Sequence, residues 1–383
     1  MTLAHLRSHF PALARTHNGR PVAYFDGPGG TQVPSSVVDA IADYLRHHNA
    51  NTHWHYPTSQ ETDAILQDAR QVCATFLNAP GPSSISFGQN MTTITFHLAR
   101  ALARQWGPGD EVVVTDLDHH ANVDPWRDAA AERGVTVRHA PLTPDLSGLD
   151  MEALAALLTP RTRLLAIGAA SNAIGTITDV TAATRLAHAA GALVFVDAVH
   201  YAPHVLVDVQ TIGCDLLACS PYKFYGPHMG LAHARRELLE RWRPYKVRPA
   251  PGYETGTAQH ELLAGFVAAV EYIDSIGWET ITGHERELGR RFLRGLTDGI
   301  ALYGPQTMDG RVPTFALNVD GRSPMEVAAH LGERGIFVWD GDYYAVEVMK
   351  RLGLDEGAVR IGIVHYNTVE EVDRLLDELR KLV

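Results

Sequence analysis

Cysteine is nearly absent from this chain: three residues in 383, Cys73, Cys214 and Cys219. They are widely spaced or embedded in apolar, strand-like sequence, which excludes the paired spacing of a zinc site or of a secreted disulfide framework. We read them as buried, inert thiols. No run of about 20 apolar residues could span a bilayer, and the first residues, MTLAHLRSHFPALAR, lack the sustained apolar core of a signal peptide. A cytoplasmic protein is expected. An excess of basic residues is missing too: 33 Lys and Arg stand against 44 Asp and Glu, a net charge of -11. The cations are scattered, which disfavours a nucleic-acid or anionic-membrane partner, whose affinity comes from neutralising phosphates. Repeats, low-complexity tracts and long linkers are also lacking. A small-molecule ligand is the expectation that survives.

What is present is ordinary globular composition, 45% hydrophobic and 20% charged, in a chain longer than one compact domain normally absorbs. From about Ser84 to Arg235, the runs SISF, EVVVTD, VTVRHA, RLLAIGAA, ALVFVDA, CDLLACS and GLAHA alternate with helical spacing such as TAATRLAHAAG and DMEALAALL. That alternation predicts an α/β domain with a mainly parallel sheet covered by helices. Later, HELLAGFVAAVEYIDSIG reads as a long helix, VPTFALNV and RIGIVHYN as strands, and a last helix starts at Val369. We expect a large domain over 20–258 and a smaller α+β domain over 259–383, joined by the segment 1–19. The ligand belongs in the crevice at the carboxyl ends of the strands.

Several residues in these segments could carry chemistry. Lys223, in CSPYKFYGPHMG, directly follows the apolar run CDLLAC. An amine there suits covalent capture of a carbonyl, which needs partial desolvation; a surface loop lysine is the plainer alternative. Asp197 ends ALVFVD, and a buried carboxylate needs a cationic partner unless it merely caps the next helix. SISFGQNMTTITFHLARAL reads as strand, turn and helix. Thr92 and Thr93 fall in the helix's first turn, where exposed N–H groups and hydroxyls suit a phosphate, or where threonine simply caps. Ser220 and Tyr222 could reach the same anion. His119, in EVVVTDLDHHANVDPW, offers a flat ring for stacking. It could equally be a solvated loop histidine, or join His120, Asp116 and Asp118 at a metal; with no His-x-x-x-His or cysteine partner nearby, no metal is expected. Arg360, in VRIGIVHYN, presents a planar fork matched to a carboxylate or to a strand-end salt bridge. Gly29, in GPGG, allows close backbone approach or only a tight turn.

Taken in order, YFDGPGGTQVP, HNANTHWH, DLDHHANVDPW, ASNAIGTITDV, VFVDAVHYAPH, SPYKFYGPHMG, ETGTAQHE and VRIGIVHYNT resemble the cysteine desulfurase-like branch of class V pyridoxal 5′-phosphate (PLP) enzymes, with isopenicillin N epimerase as another relative. The resemblance spans nearly the whole chain. It implies PLP-dependent fold type I, the aspartate aminotransferase-like architecture, and a homodimer with shared active sites. It further implies PLP carried on Lys223, its pyridinium paired to Asp197 and its ring stacked on His119. Asn172 and His200 would lie near the phenolic oxygen. Met91, Thr92, Ser220 and Tyr222 would hold the phosphate together with Thr257 from the other subunit, and Arg360 would take the substrate carboxylate near Gly29 and His53.

The chain departs from that pattern in three places. Where desulfurases carry a mobile cysteine, the stretch reads GIFVWDGDYYAVEV and Tyr344 holds the position. After His53, an Arg-Gly pair is replaced by Trp54 and His55, and His200 replaces a usual glutamine. Desulfurization through an enzyme persulfide is therefore not expected. The leading expectation is β-elimination from a cysteine S-conjugate, with Lys223 taking the Cα proton and Trp54, His55, Tyr343 and Tyr344 around the sulfur substituent. Decarboxylation with oxidative deamination of such a conjugate, as in lincosamide antibiotic biosynthesis, is one alternative. Epimerization with Tyr343 or Tyr344 as the second acid is another, and a catalytically idle binding protein on the same fold is a third.

Overall fold

The structure, a computed structural model, describes residues 6–247 and 252–383. Its centre is a seven-stranded sheet in the order Ile85–Gly88, Gly230–Ala234, Leu216–Cys219, Leu193–Asp197, Thr162–Gly168, Glu111–Thr115, Thr136–Ala140. The strands from 216–219 to 136–140 pair parallel, and 230–234 runs antiparallel to both of its neighbours. Strand 85–88 therefore points the same way as the parallel set, and its carboxyl end opens on the same edge. All seven strand segments read from sequence occur, with bounds within two residues.

The sequence of the central strands explains their position. Val112, Val113, Val114, Leu164, Leu165, Val194, Phe195, Leu216 and Leu217 are all fully buried. Alternate residues feed two separate cores: Val113, Leu165, Val194 and Leu217 face one layer of helices, and Val112, Leu164, Phe195 and Leu216 the other. A strand apolar on both faces belongs between two helical layers. Strand 136–140 contains Arg138 and His139, half-exposed, and takes the edge.

The smaller body is an antiparallel sheet of Ile300–Tyr303, Thr314–Val319, Ala358–Gly362 and Trp339–Gly341. Phe292, Phe315, Leu331 and Leu375 fill its core. Packing exchanges two segments across the division expected at residue 258. Ala23 and Phe25 join the small core, whereas Leu263, Phe266, Val270 and Ile273 of helix His260–Ile276 join the main one. Helical periodicity says that a face is buried, not against what. The strand expected over RIGIVHYN is also shifted: it spans Ala358–Gly362, after which Asn367 Oδ1 accepts the Val364 N–H at 2.9 Å and turns the chain. Among the described residues no helix is long and apolar enough to cross a membrane.

Candidate active site

The carboxyl edge of the large sheet meets the small body around a cavity of about 460 Å³, within the usual range for a small-molecule site. Strand ends deliver its walls. Asp197 closes strand 193–197, Gly168 closes 162–168, and Asp118 and His119 follow 111–115. Ser220, Tyr222 and Lys223 follow 216–219, and Met91 and Thr92 begin the helix Met91–Ala103. That helix is fixed by a capping box in which Asn90 Oδ1 accepts from the Thr93 N–H and Thr93 Oγ1 faces the Asn90 N–H, a reciprocal arrangement that satisfies two orphan donors. The opposite wall comes from Tyr343, Tyr344, Trp339 and Arg360, and Pro28 and Gly29 close one side.

Lys223 ends the short turn Pro221–Lys223 and is partly buried, opening on the cavity. Its Nζ donates to the Gly29 carbonyl at 3.0 Å and to that of Pro28. Burial, followed by the charge of Arg360, lowers its pKa to about 7 against the pull of Asp26 and Asp197. An amine so placed is available in its neutral, nucleophilic form near neutrality. A Cβ on Gly29 would lie 2.5 Å from Asp26 Oδ1, so glycine is required for the chain to pass this close.

Two buried carboxyls line the same cavity as this amine. Asp197 accepts the Val199 N–H at 2.8 Å through Oδ1 and has no second protein donor among the described residues. Burial raises its pKa to about 6. Asp118 is pushed up further, to about 8, again chiefly by burial, although Thr115 and Asn122 both donate to it. His119 Nδ1 accepts from the Ala121 N–H at 2.9 Å, and burial lowers the imidazole to about 3. It is a neutral ring, tilted 43° against Tyr344 with centroids 5.5 Å apart.

Arg360 projects from strand 358–362, 4% exposed. Its Nη1 donates to the Asn172 carbonyl at 3.2 Å, and Asp26 Oδ1 lies 3.6 Å from Nη2. The guanidinium stands over the Tyr343 ring at 4.5 Å, and its Nε is buried with no partner among the described residues. Asn172 donates through Nδ2 to the Tyr343 carbonyl at 2.9 Å, while its Oδ1 is buried and unpaired. His200 Nε2 meets Thr314 Oγ1 at 2.9 Å. The Tyr343 hydroxyl donates to the Ala358 carbonyl, so the phenol is turned into the protein. Tyr344 is 66% exposed at the rim. Both tyrosines have positive φ, 54° and 58°, an uncommon conformation for bulky residues.

Four of the residues singled out from sequence are elsewhere in this single chain. Thr257 lines a second cavity with Gln89, Thr93 and Tyr253. His53, Trp54 and His55 form an exposed stretch, with the His53 and Trp54 N–H groups tied to Asp63 and Ser59. Asp26, Phe96, Asp118, His120, Asp124 and Trp339 were not read as site residues, although Asp26 contacts Arg360 and the other five line the cavity. Asp118 and His120 were visible only as a metal alternative, and nothing local marks Phe96 or Trp339. The three cysteines are 0–3% exposed, none lines the cavity, and burial raises every one of their thiols, Cys214 to about 12.

Comparison with known proteins agrees with this architecture. Residues 23–375 match the family model Aminotransferase class-V. A cysteine desulfurase of Klebsiella pneumoniae is 35% identical over 407 residues, covering 99% of this chain and 98% of the relative. The structure of a cysteine desulfurase from Thermococcus onnurineus superimposes with a TM-score of 0.93 at 28% identity, covering 99% of this chain and 98% of that one. The Escherichia coli cysteine desulfurase CsdA gives 0.90 at 28% identity, over 100% and 98%. The chain belongs to the class V aminotransferase family and has the fold of PLP enzymes of type I. PLP is its cofactor. The cavity fits that group: a buried carboxylate with spare capacity at Asp197, an unpaired buried amide oxygen at Asn172, a lysine of lowered pKa and the amino end of a capped helix converge on it.

Proposed function

We propose that this enzyme cleaves the carbon–sulfur bond at Cβ of a cysteine-derived amino acid and releases the sulfur instead of storing it on a protein thiol. The observation that carries this reading is a cavity holding Lys223, Asp197 and Arg360 with no cysteine on its wall. Bound PLP supplies an electron sink for charge developing at the substrate Cα. Lys223 would anchor it, Asp197 would pair with its ring nitrogen and His119 would lie against its ring. Met91, Thr92, Ser220 and Tyr222 would take its phosphate.

Arg360 binds the substrate carboxylate, using the unpaired Nε and the edge now facing Asp26. That holds the Cα–H toward Lys223, whose amine accepts the proton. As the Cα–H bond breaks, its electron pair forms the Cα–Cβ double bond, and the Cβ–S pair leaves with sulfur as a thiolate. After release the enamine hydrolyses, so that substrate and one water give thiol, pyruvate and ammonia. Tyr344, Trp339 and Asn172 border the space for the sulfur substituent. Thr257 acts in a homodimer, reaching the cavity of the other subunit, and the exposed His53, Trp54 and His55 belong to the substrate pocket of the assembled enzyme. The cysteine desulfurase relatives favour a second reading, with free cysteine as substrate.

The test is to supply free cysteine and a panel of S-substituted cysteines, with and without oxygen, and follow all products by mass spectrometry. Thiol, pyruvate and ammonia independent of oxygen are expected. Alanine would point to desulfurization through a persulfide. Carbon dioxide release with sulfur retained, or Cα exchange at unchanged mass, would replace the lyase reading with decarboxylation or epimerization.

A further inference from the structure

We infer that Thr314 is a positioning residue that fixes His200 as the tautomer protonated on Nδ1, so that the small body supplies the cavity wall with a hydrogen-bond donor. Thr314 begins strand 314–319 and is fully buried. Its hydroxyl has a single partner among the described residues, His200 Nε2 at 2.9 Å. A buried hydroxyl hydrogen left without an acceptor is costly, and such groups are almost always satisfied. If His200 donated from Nε2, the Thr314 hydrogen would have no acceptor. Thr314 therefore donates, Nε2 accepts, and a neutral ring must hold its proton on Nδ1.

The ring is neutral because it is buried and because His204, Arg360, Lys223 and His119 surround it; together they hold its pKa well below the ordinary histidine value. Its orientation is fixed from a second side. The His204 ring meets it edge-on, with centroids 5.7 Å apart at 74°, and His204 is anchored by Glu285, 2.8 Å from its Nδ1 on helix Trp278–Gly295. With Nε2 turned to Thr314, Nδ1 has no partner among the described residues and is the nitrogen left for the cavity that His200 lines. A donor there serves an anionic oxygen of the bound cofactor or substrate. The inference rests on family membership and on no choice of reaction.

The test is ¹⁵N-histidine NMR of the cofactor-free protein, with the His200 resonances assigned by their loss in His200→Gln. The wild type should show Nδ1 protonated and Nε2 bare. Thr314→Val, which keeps the shape and removes the hydroxyl, should give a mixture of tautomers, and Thr314→Ser should restore the single one. In the PLP-loaded enzyme, the pH midpoint of the visible absorption band should move in Thr314→Val and return in Thr314→Ser. Protonation on Nε2 in the wild type, or an unchanged tautomer in Thr314→Val, would overturn the inference; neither would touch the carbon–sulfur reading.

Discussion

The two walls of the cavity are built on different principles. The large-body wall consists of Asp197 at a buried strand end and Asp118, His119, Ser220 and Lys223 one to four positions past others. Their positions follow from sheet register, and burial has already shifted Lys223 and His119 toward the neutral forms that the chemistry needs, whereas it pushes Asp197 toward the protonated acid, so that a cationic partner is needed to hold it as a carboxylate. The small-body rim consists of Tyr343, Tyr344 and Trp339, of which Tyr344 and Trp339 are 66% and 48% exposed. It is here that the sequence reading expects the chain to leave the desulfurase pattern. On the proposed function, reaction type would be anchored in the sheet and substrate choice in a few rim side chains that the fold does not require.

That contrast can be broken most severely at Lys223. Lys223→Ala should abolish the visible absorption band and cut turnover by about 10²- to 10⁴-fold, the range for loss of a positioned acid–base group. Unchanged turnover of every amino acid tried would remove the strand-end wall from the chemistry. Arg360→Ala should lower kcat/KM by about 10- to 150-fold, the value of a charge-assisted hydrogen bond, and mostly through KM. A fall confined to kcat would mean that Arg360 does not hold the substrate carboxylate.

The rim should behave differently. Tyr344→Ala should alter the ratio of kcat/KM between large and small sulfur substituents by about 10-fold, with stability within about 0.5 kcal/mol because the side chain is exposed. Equal losses for all substrates would erase the distinction between the walls. The pH dependence sharpens it from the other side. Below about 7 the Lys223 amine is protonated and cannot attack the cofactor aldehyde; above that value it is neutral. Uptake of PLP by the apoprotein, followed by absorbance, should therefore rise several-fold through pH 7 and then level. A midpoint near the ordinary lysine value would show that the site does not desolvate the amine. The smallest effect is expected from Cys73→Ala, which should leave activity unchanged and cost about 1 kcal/mol in denaturant unfolding.

Much of the strand-end wall was legible in sequence because unbroken apolar runs ending in Asp, His or Ser-x-x-Lys fix both strand and strand end. The rim was less so. Tyr343 and Tyr344 were visible only as a departure from a family pattern, and the inward turn of the Tyr343 hydroxyl onto Ala358 depends on a strand 15 residues away in sequence. Trp339 and Phe96 carried no local signal, since an aromatic at a strand or helix position reads first as core. Asp118 is legible only as part of the metal alternative, and it is burial that makes it a high-pKa acid. Helix 260–276 was legible as a helix, but tertiary packing decides that it joins the main core and that Ala23 and Phe25 join the small one.

A lyase that releases sulfur and a desulfurase differ in whether sulfur ever resides on the protein. The direct measurement is the intact mass of the enzyme, trapped with an alkylating reagent during turnover of cysteine or its most active S-conjugate, alongside the organic product. An unmodified protein with pyruvate accumulating is the predicted result. A protein carrying one added sulfur, with alanine as product, would contradict it.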